Sequence, residues 1–174
     1  MKNKLFFFTI CICFYSYSQE TFLATHKGLS IELPKSFKTL TQEDIKKKYS
    51  AYGAIPDVVF EEGNSNISIV STFISLDESK YESYKEAIIK QYIQPNIEIL
   101  TNEISIINEK KFIIIKLKIT GNDDYNIIVD NLTTDINGKM NTITFTQKLL
   151  LSEMNEDKFK KIIQSIRIGD AGSD

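Results

Sequence analysis

Ile127-Ile128-Val129-Asp130-Asn131-Leu132-Thr133-Thr134-Asp135-Ile136-Asn137-Gly138-Lys139-Met140-Asn141-Thr142-Ile143-Thr144-Phe145 is the stretch that decides the fold class. Both flanks are rich in β-branched residues and alternate apolar with polar side chains, the period of a half-buried strand. Asn and Gly both tolerate positive φ, so Asn137-Gly138 between two such runs predicts a tight hairpin turn. Counting outward from the turn sets Leu132 opposite Ile143. Strands joined this tightly run antiparallel.

Working toward the N-terminus, residues 104–107 and 112–120 read as strands around Asn108-Glu109-Lys110. Ile113, Ile115, Leu117 and Ile119 share one face. On the other face Phe112 and Ile114 give way to Lys116 and Lys118, so one face is buried along its whole length and the other along half of it. Residues 97–100 form a short extended run. Residues 57–61 and 66–74 read as a hairpin around Gly63-Asn64. Leu29, Ile31 and Leu33 alternate with Ser30 and Glu32, and Pro34 ends that strand. Residues 19–27 show no clear period and read as a lead-in.

Three helices accompany these strands. Thr41 caps a short one, with Leu40 and Ile45 at staple spacing and Ile45 and Tyr49 on one face. Asp77 caps one of about 17 residues whose apolar stripe is Tyr81, Tyr84, Ala87, Ile88 and Tyr92, ended by Pro95. Asn155 caps the last, where Phe159, Ile162, Ile163 and Ile166 repeat at helical spacing and Gly169 stops it. Residues 170–174 read as a flexible tail. The expected architecture is one α+β domain over residues 28–169: an antiparallel sheet of about six to eight strands covered by about three helices. Apolar content on both sides of residues 67–74 and 112–119 calls for cover on both faces.

Met1-Lys2-Asn3-Lys4, ten largely apolar residues and Tyr15-Ser16-Tyr17-Ser18 follow the order of a secretory signal peptide, with a cut expected near Ser18-Gln19. Ten apolar residues fall short of the roughly 20 that span a bilayer. The expected destination is periplasmic or extracellular, with no stable membrane insertion after cleavage. Both cysteines, Cys11 and Cys13, lie in this segment, and each follows an isoleucine where a lipoprotein signal needs a small residue. Cleavage removes them together with Lys2 and Lys4, and takes the net charge from −2 to −4.

That composition narrows the chemistry. An acidic chain has no basic field to gather nucleic acid. Without cysteine and with one histidine, His26, neither a Cys/His metal centre nor a Cys-His pair is built. His26 reads as a surface residue rather than a general base. Oxygen-ligand cation sites are weighed at Glu61-Glu62-Gly63-Asn64-Ser65-Asn66 and Gly121-Asn122-Asp123-Asp124, both accounted for by turn chemistry. Asp130 and Asp135 read as a solvated strand face rather than paired acids. Lys46-Lys47-Lys48 and Lys158, Lys160 and Lys161 read as solvated helix faces. Asn66-Ile67-Ser68 and Asn131-Leu132-Thr133 fit the glycan-acceptor pattern. No catalytic, cofactor or metal residue is assigned, and no cofactor is expected. Tyr81, Tyr84 and Tyr92 are the candidate interaction surface, because tyrosine buries a ring while keeping a wet hydroxyl.

Three pieces carry a resemblance to a known family: residues 28–37 (Gly28-Leu29-Ser30-Ile31-Glu32-Leu33-Pro34-Lys35-Ser36-Phe37), residues 57–60 followed by 67–73, and the end, Gly138-Lys139-Met140-Asn141-Thr142-Ile143-Thr144-Phe145 with Phe159, Ile162, Ile163, Ser165 and Arg167. The layout resembles the α/β/α sandwich of the oxygen-evolving-complex protein PsbP and its bacterial relatives of the DcrB type. Such relatives often carry Trp where Phe37 stands. The family has no shared catalytic constellation. The resemblance implies an exported, non-enzymatic binding or assembly-accessory domain whose partner is another envelope protein or assembly. Two other readings stand beside it: a carboxylate-based hydrolase of an envelope polymer, which requires a pocket with convergent acids of raised pKa, and a small-ligand or immunity-type inhibitor protein.

Overall fold

The computed structural model describes residues 20–121 and 126–169. The signal segment 1–18 with its cut, the Asn122-Asp123-Asp124 turn and the tail 170–174 lie outside the described residues. The elements in chain order are β1 (Thr21–His26), β2 (Leu29–Pro34), β3 (Lys38–Thr39), α1 (Gln42–Tyr49), β4 (Val58–Glu62), β5 (Ser65–Ser71), α2 (Tyr81–Gln91), β6 (Ile97–Ile107), β7 (Lys110–Thr120), β8 (Asn126–Ile136), β9 (Lys139–Lys148), α3 (Leu149–Ser165) and β10 (Arg167–Ile168). The large sheet has seven strands in the order β3-β4-β5-β9-β8-β7-β6, and a three-stranded sheet has the order β1-β2-β10. Every pairing is antiparallel. The α+β sandwich expected from the sequence is the fold observed.

The β8–β9 hairpin has the expected register, with Leu132 opposite Ile143. Its turn places Asn137 at φ 56° and Gly138 at φ 74°. Alternation then divides the large sheet into two faces. On the first, Phe60, Ile67, Ile69, Phe112, Leu132, Ile143 and Phe145 pack against Leu29, Ile31 and Leu33 of β2 and Phe159, Ile162 and Ile166 of α3. On the second, Ile113, Ile115, Leu117 and Val129 pack against Tyr81 and the rest of the α2 stripe. Ile45 of α1 and Val59 of β4 are fully buried at the opposite end of that second face, where Lys48 of α1 pairs with Glu61 of β4. One sheet thus carries a core on each side.

Several boundaries differ from the sequence reading, and tertiary pairing explains each. The lead-in is β1, which pairs along its whole length with β2 although its own side chains show no period. The runs at 97–100 and 104–107 are one strand interrupted by a bulge at Leu100. β5 ends at Ser71, leaving Phe73 and Ile74 outside the ladder. The Asp77-capped helix is a short 3-10 turn, Glu78–Lys80, leading into eleven α-helical residues. α3 starts at Leu149, straight out of β9, so Asn155 sits inside the helix rather than at its cap. It ends before Gly169 because Asn108 of the β6–β7 turn donates to the Gln164 and Ile166 carbonyls at 2.8 Å and because β10 pairs with β2.

Gly28 holds the small sheet close to the β8–β9 turn. Its φ is +84°, and a Cβ there would meet Asn137 Nδ2 at 3.4 Å and Ile136 Cγ2 at 3.5 Å. The Gly28 carbonyl accepts from the Gly169 amide at 2.8 Å.

Candidate functional site

The three tyrosines of α2 all turn toward the second face. Tyr81 is buried, and its hydroxyl donates to the Lys111 carbonyl at 3.1 Å and accepts from the Asp135 amide at 3.3 Å. It is a strut between α2 and two strands. Tyr92 accepts from Asn131 Nδ2 at 3.3 Å. Burial pushes its phenol up, and the Asn131 bond opposes that. Tyr84 is half-buried, and burial followed by its closeness to Tyr92 raises its phenol as well. Of the expected surface, Tyr84 and Tyr92 border open sheet, whereas Tyr81 is structural.

Register supplies what lies beside them. Ser68, Thr144 and Asn131 stand side by side on β5, β9 and β8, on the second face with Ile115. Thr142 stands beside Thr133 in the next row on that face, and Thr146 beside Asn66 in the row on its other side. Thr144 donates to Asn131 Oδ1 at 2.8 Å, and the Thr133 and Thr142 hydroxyls lie 3.0 Å apart. Val70 stands on the other side of Thr142 in that row, so the middle of the second face, between α1 and α2, is a strip of short hydroxyl and amide side chains with Val70 among them, in which Ser68 and Thr133 are buried and the others part-buried. The sequence reading missed it. Its signal was present: Thr142, Thr144 and Thr146 alternate with Ile143 and Phe145, which is a polar face written against an apolar one. Both glycan-acceptor asparagines belong to this strip, inside paired strands, and the Asn131 amide is engaged with Tyr92.

A second feature sits at the hairpin end. A hollow of about 550 Å³ is lined by Leu76, Asp77 and Tyr81, by Ile106, Glu109 and Lys111 near the β6–β7 turn, and by Asp135 near the β8–β9 turn. Beside it the Phe73 ring is 95% exposed, with Lys139 Nζ 5.6 Å from its centroid, and Ile74 and Ile106 are exposed as well. Asp77 lies at the rim, and its carboxyl is held below its ordinary value by hydrogen bonds from Lys80 and Ser79, the opposite of a general acid.

The remaining candidates disperse. Asp130 and Asp135 are five residues apart on one strand, so they point to opposite faces. Asp130 is not solvated: it is 8% exposed on the first face. Burial raises its carboxyl, Lys116 at 3.8 Å pulls it down, and Glu156 on α3 raises it again. The raised acid and the hollow are thus on different sides of the sheet, and the acid pair that the hydrolase reading requires is not assembled from these two. Glu61 pairs with Lys48 and Glu62 with Lys158, so each carboxylate of the 61–66 turn is held by a lysine. Lys158 is accordingly part-buried over Phe37 and Phe159 rather than solvated. No group of three or more metal-ligating side chains occurs among the described residues.

His26 is not a free surface residue either. Its Nε2 lies 3.3 Å from Asp57 Oδ2, which also accepts from Lys27 at 3.0 Å and from the Ser71 amide at 3.0 Å. The order is unlike a nucleophile triad, in which histidine stands between serine and acid. Here the acid stands in the middle, and the Ser71 hydroxyl donates to Asn141. Burial would raise the Asp57 carboxyl, but hydrogen bonds from Lys27, Ser71 and His26 outweigh it and hold it at about 2. The group is a clamp that ties the β1–β2 turn to the large sheet.

Comparison with known proteins agrees with this architecture. No protein-family model matches the chain, and no curated protein sequence matches it. Solved structures do. The chain is similar to cyanobacterial PsbP (CyanoP) from Synechocystis sp. PCC 6803, with 14% identity and a TM-score of 0.57 over 86% of this chain and 91% of that one. It is similar to the Ran-binding protein Mog1p of Saccharomyces cerevisiae, with 9% identity and a TM-score of 0.51 over 88% and 97%. It is also similar to LpqN of Mycobacterium tuberculosis, described as involved in cell envelope biogenesis, with 11% identity and a TM-score of 0.52 over 86% and 91%. At these identities the likeness is one of fold.

Proposed function

The chain carries the PsbP-like fold, and we propose that it is an exported, non-enzymatic binding or assembly-accessory protein that docks another envelope protein through its hairpin end. Phe73 is the observation that carries this reading. A phenyl ring standing almost wholly in water, beside a hollow and two further exposed aliphatic side chains, is the arrangement of an interface anchor. The basic-apolar-small order of residues 1–18 supports export. Among the described residues no helix is long and apolar enough to cross a membrane. A binding role agrees with the description of the fold neighbour Mog1p as Ran-binding, and an envelope role with the description of LpqN as involved in cell envelope biogenesis.

The test is site-specific photo-crosslinking in the native host. A benzophenone side chain in place of Phe73 is expected to capture one envelope protein reproducibly, and the same probe in place of Lys46 is not. Retention of the chain in the cytosol with residues 1–18 attached would overturn the reading. So would an unchanged capture pattern between the two positions.

A further inference from the structure

The two edges of the seven-stranded sheet end in different ways. β3, at one edge, is two residues long and carries Lys38. β6, at the other, is eleven residues long, and among the described residues no strand pairs with it on the side away from β7. Alternate residues of such an edge turn N–H and C=O outward, which is a template for another strand. Soluble proteins blunt long edges with lysine, proline or a bulge. The bulge at Leu100 does this for the start of β6. Beyond it Thr101-Asn102-Glu103-Ile104-Ser105-Ile106-Ile107 runs without interruption and without lysine, arginine, proline or glycine.

Apolar surface reaches that edge on both faces. Register with β7 sets Ile104 opposite Ile113 and Ile106 opposite Lys111, on the second face, and Ser105 opposite Phe112, on the first. Ile104 packs against the second core and Ile107 against the first, so each core runs out to β6 and is cut off there. Ile106 is 70% exposed. A strand laid beside this segment extends both cores as well as satisfying the backbone.

The sequence of the edge selects its occupant. Ile104 is the middle residue of the uninterrupted segment, so antiparallel pairing of the whole segment with itself sets Ile104 opposite Ile104 on a two-fold axis. The same register sets Glu103 opposite Ser105 on each side of the axis, a carboxylate acceptor facing a hydroxyl donor. Moving the axis to Glu103 opposes two like charges. Moving it to Ser105 runs the ladder into the turn at Asn108, where φ is 46°, and shortens it. Length and charge thus favour one register.

We infer that β6 is a self-association edge, and that residues 101–107 pair antiparallel with the same residues of a second copy, joining two large sheets through about six to eight new backbone hydrogen bonds. Phe73 lies beside Lys139 of β9, three strand spacings or about 14 Å from β6. The pairing therefore leaves the docking ring free, and either role can fail alone.

Sedimentation velocity on the chain purified from its native host, between about 5 and about 500 μM, is expected to show monomer passing to dimer and no further. An interface of this small size predicts a Kd of about 100 μM. Ser105→Glu sets like charges opposite each other twice and is expected to raise Kd at least about tenfold. Combining Glu103→Lys with Ser105→Glu restores opposite charges across the axis and is expected to restore the dimer. In the unmodified chain, amides within residues 101–107 are expected to exchange more slowly at the higher concentration, while those of residues 72–75 do not change. A chain that stays monomeric at about 500 μM overturns the inference. So does a dimer that Ser105→Glu leaves intact, or a charge-reversed pair that does not recover. Self-association that Phe73→Ser abolishes would move the contact to the hairpin end and overturn it as well.

Discussion

The two faces of the seven-stranded sheet come from the same strands and are finished differently. On β9, Ile143 and Phe145 enter the first core while Thr142, Thr144 and Thr146 look the other way. The first face is sealed by α3 and by the small sheet. The second is covered by α1 at β4 and by α2 over β6–β8, and between them Asn131, Thr142, Thr144 and Thr146 are only part-buried. A period of two is enough to write a core and an exposed surface into ten consecutive residues. It leaves to the helices the choice of where the surface stays uncovered.

The largest effect that would break this contrast lies between two neighbours. Phe145 is fully buried and meets Phe159 edge-on at 5.7 Å between centroids. Phe145→Ala is expected to cost about 4 kcal/mol in urea unfolding, whereas Thr144→Val costs under about 1 kcal/mol. Equal costs would mean that both faces are sealed.

The small sheet seals the first face only while it is anchored, and Asp57 is its anchor. With the folded carboxyl at about 2 against an ordinary 3.8, its contribution is present above pH 3.8 and is lost as pH falls toward 2, an effect of about 2 kcal/mol. Asp57→Asn is expected to lower stability at pH 7 by that order and to remove the corresponding stretch of acid sensitivity. An unchanged acid-unfolding profile would show that the small sheet is held by its apolar contacts alone.

The smallest effect concerns the acid enclosed on the sealed face. The raised carboxyl of Asp130 works with the opposite sign: the folded state binds the proton more tightly, so stability rises as pH drops through the raised value toward the ordinary one. Asp57 and Asp130 thus act on stability with opposite signs as the pH falls. Asp130→Asn is expected to flatten the rise in Tm between pH 7 and pH 4, and a slope that survives the substitution would assign it to another group.

Patterned positions were legible in the sequence and contextual ones were not. The Asn137-Gly138 turn, the Leu132–Ile143 pairing and the two-sided β7 follow from alternation and turn chemistry, because both act over a few residues. β1 was invisible because its order comes from pairing with β2. The start of α3 was misplaced at Asn155 because a capping residue is only a local preference, and packing on the first face carries the helix back to Leu149. Asp130 read as solvated because its burial is imposed by α3, which is distant in sequence. Tyr84 and Tyr92 were recognised by helical spacing. The strip beside them needed the strand order β5-β9-β8, which brings Ser68 next to Thr144 across 76 positions of chain, and Phe73 needed the end of β5 to be known.

Single cysteines test the difference between the two faces most directly, in a chain whose Cys11 and Cys13 are replaced by alanine. Maleimide labelling of Thr144→Cys in the folded protein is expected to proceed within about tenfold of an exposed reference, Lys38→Cys, while Ile143→Cys reacts only at the rate of unfolding. If Thr144→Cys is protected as fully as Ile143→Cys, both faces are sealed and the contrast between them fails.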